Sequence, residues 1–203
     1  MVRRQLAARD IKDRRVLAAM ASVPRECFVP PHLRDQAYAD SPLPVGHDQT
    51  ISQPYIAAQM TQEAGLDRHA RVLDVGTGTG YQAAILAKIA HHVWTIERIG
   101  ELAREAETRL ADLGVRNVTS LVGDGAMGHA EAAPYDAIIV AAAAPEPPTA
   151  LLEQLAVHGR LVIPLGDRAL QELTVVERTE TGFRHRMAGA CRFVPLVSSE
   201  AFS

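Results

Sequence analysis

The spacing of apolar positions changes twice along this chain. Over residues 1–22, Val2, Leu6, Val16, Leu17 and Met20 form one apolar side of a polar segment, which predicts an amphipathic helix. From Pro24 to Pro54, six further breaks at Pro30, Pro31, Pro42, Pro44, Gly46 and Pro54 itself exclude one long helix and predict an ordered, loop-rich cap. A short helix over about 55–64 follows, with Gly65 suited to end it. After Arg71 the pattern alternates between strands (71–75, 92–96, 117–122, 135–140, 159–164) and helices (81–90, 100–113, 148–155). The run 135–140 is apolar almost throughout, as in a strand covered on both faces. In the last third the period falls to two: 171–177 and 183–193 predict a hairpin turning at Thr181-Gly182.

Alternating strands and helices predict an α/β fold with a doubly wound, mostly parallel Rossmann-like sheet, to which the terminal hairpin adds an antiparallel strand. The expected organisation is a single domain. Residues 1–66 form a helical and loop-rich cap, 67–166 an α/β core, and 167–203 a C-terminal hairpin and tail.

Composition narrows the possible functions. Of 203 residues, 47% are hydrophobic and 22% charged, an ordinary globular balance. A net charge of −3 gives no footprint for a nucleic-acid backbone. No apolar run is long enough to span a membrane, and the polar start carries no signal-like core, so a cytoplasmic protein is expected. Cys27 and Cys191 are expected to be reduced thiols, and neither they nor the histidines follow a metal-ligand spacing. His91 and His92 are expected in a solvated turn. The absence of an apolar surface stripe favours a monomer.

The chemistry-bearing feature is Gly76-Thr77-Gly78-Thr79-Gly80 at the end of the strand Val72-Leu73-Asp74-Val75. Glycines there let the backbone turn sharply and approach a ligand, and in open α/β sheets ligands sit beyond the strand C-termini. The spacing is GxGxG rather than the GxGxxG of a dinucleotide site. Asp74 at this strand end would repel a pyrophosphate yet could accept from an ammonium group. Glu97, ending the next strand, could accept both ribose hydroxyls, and Asp124, within Gly123-Asp124-Gly125, could accept from an adenine amine. Each of these carboxylates could instead cap a helix or turn. As a set they fit a ligand with an ammonium, a ribose and an adenine but no phosphate, namely S-adenosylmethionine.

Further segments carry a resemblance. Residues 40–46 (Asp-Ser-Pro-Leu-Pro-Val-Gly), Gln49-Thr50-Ile51-Ser52-Gln53-Pro54-Tyr55, 74–82, Gly123-Asp124-Gly125, 141–145 and Arg192-Phe193-Val194-Pro195-Leu196 together resemble the protein-L-isoaspartate O-methyltransferases over the whole chain. The glycine loop is common to many methyltransferases. The Gln49–Pro54 and Arg192–Leu196 segments are far more specific.

The resemblance implies methyl transfer from S-adenosylmethionine to the free α-carboxylate of L-isoaspartyl residues in damaged proteins and peptides, the start of their repair. It implies Ser52 as the active-site serine. It also implies a cofactor cradle of Gln49, Thr50, Ile51, Ser52, Asp74, Gly76, Thr77, Gly78, Gly80, Glu97, Asp124 and Gly125, and substrate contacts at Ser52, Val194, Pro195 and Leu196. Asp48 stands where the family's bacterial pattern carries glycine and is expected to face solvent. The acceptor carboxyl, with a pKa of about 3.5, is already ionised at neutral pH, so no general base is needed. The alternative is a methyltransferase of the same fold acting on a small molecule.

Overall fold

The computed structural model describes residues 1–167, 169–198 and 201, so the predicted tail 167–203 lies partly outside the described residues. The predicted helix over 1–22 is two pieces. A π-helical turn spans Val2–Ala7, and α1 spans Arg14–Ser22. The break follows from local capping: the Asp13 side chain accepts the Arg15 N–H and starts α1 afresh. Gln62 Oε1 fixes the intervening turn by accepting the N–H groups of Lys12 and Asp13.

The cap holds a hairpin that the prolines concealed. β1 (Leu43–Gly46) pairs antiparallel with β2 (Gln49–Ile51) around His47 and Asp48, whose φ values are 52° and 56°. Helix α2 (Pro54–Ala64) begins on a proline that needs no N–H partner and ends at Gly65, φ 66°.

The core is a seven-stranded sheet, counted among the described residues, built of β3 (Arg71–Val75), β4 (His92–Glu97), β5 (Val118–Val122), β6 (Tyr135–Val140), β7 (Leu155–Gly166), β8 (Gln171–Thr179) and β9 (Gly182–Cys191). Their order is β5-β4-β3-β6-β7-β8-β9. Helices α3 (Tyr81–Ala87), α4 (Gly100–Asp112) and α5 (Thr149–Glu153) connect the strands. One apolar cluster, including Met60, Val72, Ile85 and Val162, joins the cap and α3 to the sheet; a second, including Leu73, Ile138, Leu151 and Leu161, fills the other face. β3 from Val72 and β6 from Ala137 are buried on both faces, which explains why their sequences are apolar there except at Asp74.

Three details correct the sequence expectations. β7 runs from 155 to 166, longer than the predicted 159–164, because its ends pair with Tyr135 and Gln171. The last hairpin turns on Glu180-Thr181, one residue early, since Thr179 pairs with Gly182. His92 is not in a solvated turn: it opens β4, its Nε2 lies 2.9 Å from the Thr119 hydroxyl, and its ring rests on Trp94.

The direction of the terminal strands positions the site. β8 runs against its neighbour β7, and β9 runs against β8, so β9 again points with the parallel set. Its C-terminal end therefore returns to the same sheet edge as the ends of β3, β4 and β6.

Candidate functional site

The strand order reverses between β3 and β6, with β4 and β5 on one side and β7 on the other. A cavity of about 850 Å³ opens beyond these strand ends, where such folds place ligands. Its floor is the glycine loop. Gly76, at φ 92°, donates its N–H to the Ile96 carbonyl, which folds the loop back over β4. The third glycine has a different role: a Cβ on Gly80, at φ 88°, would press on Ala106 and Leu110 of α4 at 3.3–3.4 Å. Gly80 thus lets two helices approach and does not line the cavity.

Glu97 ends β4 with its carboxylate in the cavity wall and 8% of its surface exposed. Oε2 accepts the Gly78 N–H at 2.9 Å, and Oε1 accepts the Ile99 N–H at 3.0 Å. Each oxygen keeps lone-pair capacity for a further donor, as two ribose hydroxyls would require.

Asp74 lies beneath the loop, fully buried and outside the cavity lining. The Thr95 hydroxyl donates to its Oδ2, while Oδ1 has no partner. Because the Thr95 proton is committed there, Thr77 donates its own to Thr95, 2.7 Å away. Burial pushes the Asp74 carboxyl up to about 7; the Thr95 bond opposes this and the Glu97 charge reinforces it.

Asp124 is taken up by local structure. Its oxygens accept the Ala126 N–H and the Ser198 hydroxyl, and its side chain is not part of the cavity lining. Its neighbour Gly125 is in the lining, where a Cβ would clash with the Val75 side chain. Of the sequence-predicted residues, then, Asp74, Gly80 and Asp124 stand behind the wall. Gln49, Thr50, Ile51, Ser52, Gly76, Thr77, Gly78, Glu97 and Gly125 form it, together with Val194, Pro195 and Leu196.

The opposite end of the cavity is built by the cap and the returning chain. Ser52 lies between β2 and α2, half-buried, with its main-chain carbonyl fixed by Arg25 at 2.7 Å. The segment after β9 is clipped to the loop after β6: Ala143 donates to the Val194 carbonyl and Leu196 donates to the Ala143 carbonyl. Leu196 turns into the core, 7% exposed, whereas Pro195 is exposed at the rim. Asp48, also exposed, sits at the mouth.

Two contributors escaped sequence reasoning. Gln171, 2% exposed, acts as a substitute strand partner for Phe193: Oε1 accepts its N–H at 2.7 Å and Nε2 donates to its carbonyl at 3.2 Å. Arg25 is wholly buried in a short turn of the cap, and nothing in its sequence neighbourhood marks it. Cys191 lines the cavity, but burial pushes its thiol up to about 11, which leaves it protonated and a poor nucleophile.

The arrangement fits S-adenosylmethionine on its own chemistry. The unpartnered Asp74 oxygen lies under the loop, Glu97 offers acceptors, and Gly125 lies so close to Val75 that the wall has no space for a Cβ there. No cluster of three or more metal-ligating side chains occurs among the described residues.

Comparison with known proteins agrees. The profile of the family described as protein-L-isoaspartate(D-aspartate) O-methyltransferase matches residues 1–201. A protein-L-isoaspartate O-methyltransferase of Methanoregula boonei is 53% identical over 97% of this chain and 91% of its own. One from Syntrophobacter fumaroxidans is 52% identical over 97% and 92%. Among solved structures, a protein-L-isoaspartate O-methyltransferase superposes with a TM-score of 0.85 at 27% identity, over 94% of this chain and 63% of that longer one. A Plasmodium falciparum chain described as a β-aspartate methyltransferase, in complex with S-adenosyl-L-homocysteine, gives 0.79 at 25% identity over 94% of both chains.

Proposed function

The chain belongs to the protein-L-isoaspartate(D-aspartate) O-methyltransferase family, and on that premise we propose how its residues divide the work. The enzyme transfers a methyl group from S-adenosylmethionine to the free α-carboxylate of L-isoaspartyl residues in damaged proteins and peptides, which initiates repair. Membership decides against the small-molecule alternative. One observation carries the division of roles: a single cavity has Glu97 and the glycine loop at one end and Ser52 with Val194 and Pro195 at the other.

Bound S-adenosylmethionine supplies an electrophilic methyl group on a sulfonium. Glu97 holds the ribose hydroxyls, and Asp74 sets the potential beneath the loop for the ammonium end. Gly76, Thr77, Gly78 and Gly125, with the Gln49–Ile51 backbone, give close-fitting walls. Gly80 and Asp124 act from behind, by packing α4 and by capping the turn at Gly125–Met127.

At the acceptor end, the Ser52 hydroxyl has no partner among the described residues and donates one hydrogen bond to the substrate carboxylate. One neutral donor orients the nucleophile without neutralising it, whereas a bidentate arginine would hold it more tightly and blunt it. Val194 and Pro195 contact the substrate main chain. The apolar side chains of Ile51, Met60 and Phe193 exclude water, which favours a reaction whose opposite charges cancel.

We place the protein in the cytoplasm as a monomer of one domain, with cap 1–66, core 67–166 and tail 167–203. Two free thiols, Cys27 and Cys191, support a reducing compartment. No helix among the described residues is long and apolar enough to cross a membrane. Nucleic acid is not expected as a partner at a net charge of −3. The test is label transfer from methyl-labelled S-adenosylmethionine to an isoaspartyl peptide, with the aspartyl twin as control. A base-labile ester on the isoaspartyl peptide alone is expected, and equal labelling of both would overturn the substrate assignment.

A further inference from the structure

Arg25 has no part in the roles assigned so far, yet it is the largest fully buried side chain described. Its Nε donates to the Ala37 carbonyl and its Nη2 to the Ser52 carbonyl, each at 2.7 Å, while Nη1 has no partner. No carboxylate pairs with it among the described residues. The guanidinium lies over the Tyr81 ring, 4.6 Å from its centroid, and Tyr81 itself lines the cavity.

Such burial is costly for a charge. Burial lowers the pKa of Arg25, but a guanidinium stays protonated in proteins. Two carbonyls and one ring face offset part of the cost. A net positive charge and three unused N–H groups, two of them on Nη1, remain one carbonyl and one ring behind the acceptor end of the cavity. The species that arrives there is an anion, and it loses water as it arrives.

We propose that Arg25 is the positioning residue of the acceptor end: it fixes the main chain at Ser52 and, from behind that loop, offsets the negative charge of the isoaspartyl carboxylate. This rests on the reading of Ser52 as the carboxylate contact. Acting through the Ser52 peptide and the Tyr81 ring, the charge favours the carboxylate without forming the direct pair that would blunt it. A surface lysine could not do this, because solvent would screen it.

The test separates charge from scaffolding. In the presence of S-adenosylhomocysteine, binding of an isoaspartyl peptide is compared with that of its twin carrying a neutral α-carboxamide. The wild-type enzyme is expected to prefer the carboxylate by about tenfold, ~1.4 kcal/mol. R25Q, which can still donate to a carbonyl, is expected to lose most of that preference while its affinity for S-adenosylhomocysteine holds. R25K is expected to keep the preference but lose kcat, because one ammonium cannot span both carbonyls.

Equal binding of the two peptides by the wild type overturns the proposal without any variant. So does a folded R25Q with the preference intact, or an R25K with wild-type kcat. Ser52→Ala distinguishes the underlying reading: unchanged methylation there removes the role of Ser52. A carboxylate preference that persists in Ser52→Ala and vanishes in R25Q supports Arg25 independently.

Discussion

The Thr95 hydroxyl donates to Asp74 Oδ2 at 2.8 Å, while the second oxygen of that buried carboxylate has no partner. Asp74 titrates near 7 in the folded protein, against 3.8 as its ordinary value. A raised folded pKa contributes stability that is fully present below the ordinary value and is lost as pH rises through the folded one. Unfolding free energy is therefore expected to fall between about pH 4 and pH 7, by on the order of a few kcal/mol, and then to level off. Denaturant titrations across that range check this, and Asp74→Asn should remove most of the slope.

The same carboxylate is expected to respond to ligand. An ammonium group brought near Asp74 lowers its pKa, so binding of S-adenosylmethionine near pH 6.5 should release protons. Calorimetry in buffers of differing ionisation enthalpy reads the number directly. No proton release in the wild type would remove Asp74 from the ammonium end.

Glu97 supports the loop as well as the ligand, so the choice of substitution matters. Glu97→Ala removes acceptors from the Gly78 and Ile99 N–H groups and should cost about 1–3 kcal/mol of stability in addition to affinity. Glu97→Gln keeps one acceptor and should weaken S-adenosylhomocysteine binding by roughly tenfold with a smaller loss of stability. Parallel calorimetry and thermal melts distinguish the two effects.

Ser52→Ala should leave affinity for S-adenosylhomocysteine within about twofold and lower methylation of an isoaspartyl peptide about tenfold, the value of one oriented hydrogen bond. Arg25 still holds the Ser52 carbonyl in this variant, so the loop should keep its course. Wild-type turnover at saturating peptide would end the assignment.

The tip of the cap hairpin offers a stabilising change. His47 and Asp48 both have positive φ, a turn that favours Asn-Gly. Asp48→Gly should raise stability by up to about 1 kcal/mol, read as a higher melting temperature. It also removes an anionic side chain from the mouth of the cavity, so KM for acidic peptides should fall.

Local features were the ones the sequence made legible. The alternation of strands and helices, the glycine loop and Glu97 follow from periodicity and from residue type at strand ends. Asp124 was legible as a carboxylate at a strand end, but the Ser198 contact that turns it away bridges 74 residues and leaves no local trace. Arg25 and Gln171 were missed for the same reason: Arg25 serves main chain 12 and 27 residues away and Gln171 main chain 22 residues away, and nothing next to them signals it. The β1–β2 hairpin was hidden because Pro44 reads as a breaker, although this edge position tolerates it.

The return of β9 to the cavity edge also makes one site out of opposite ends of the sequence. The donor end needs 74–78, Glu97 and Gly125, and the acceptor end needs Ser52 from the cap together with 193–196 clipped to Ala143 and Gln171. Neither segment confers selectivity alone: Ser52 faces a substrate only where the chain after β9 has closed the opposite wall.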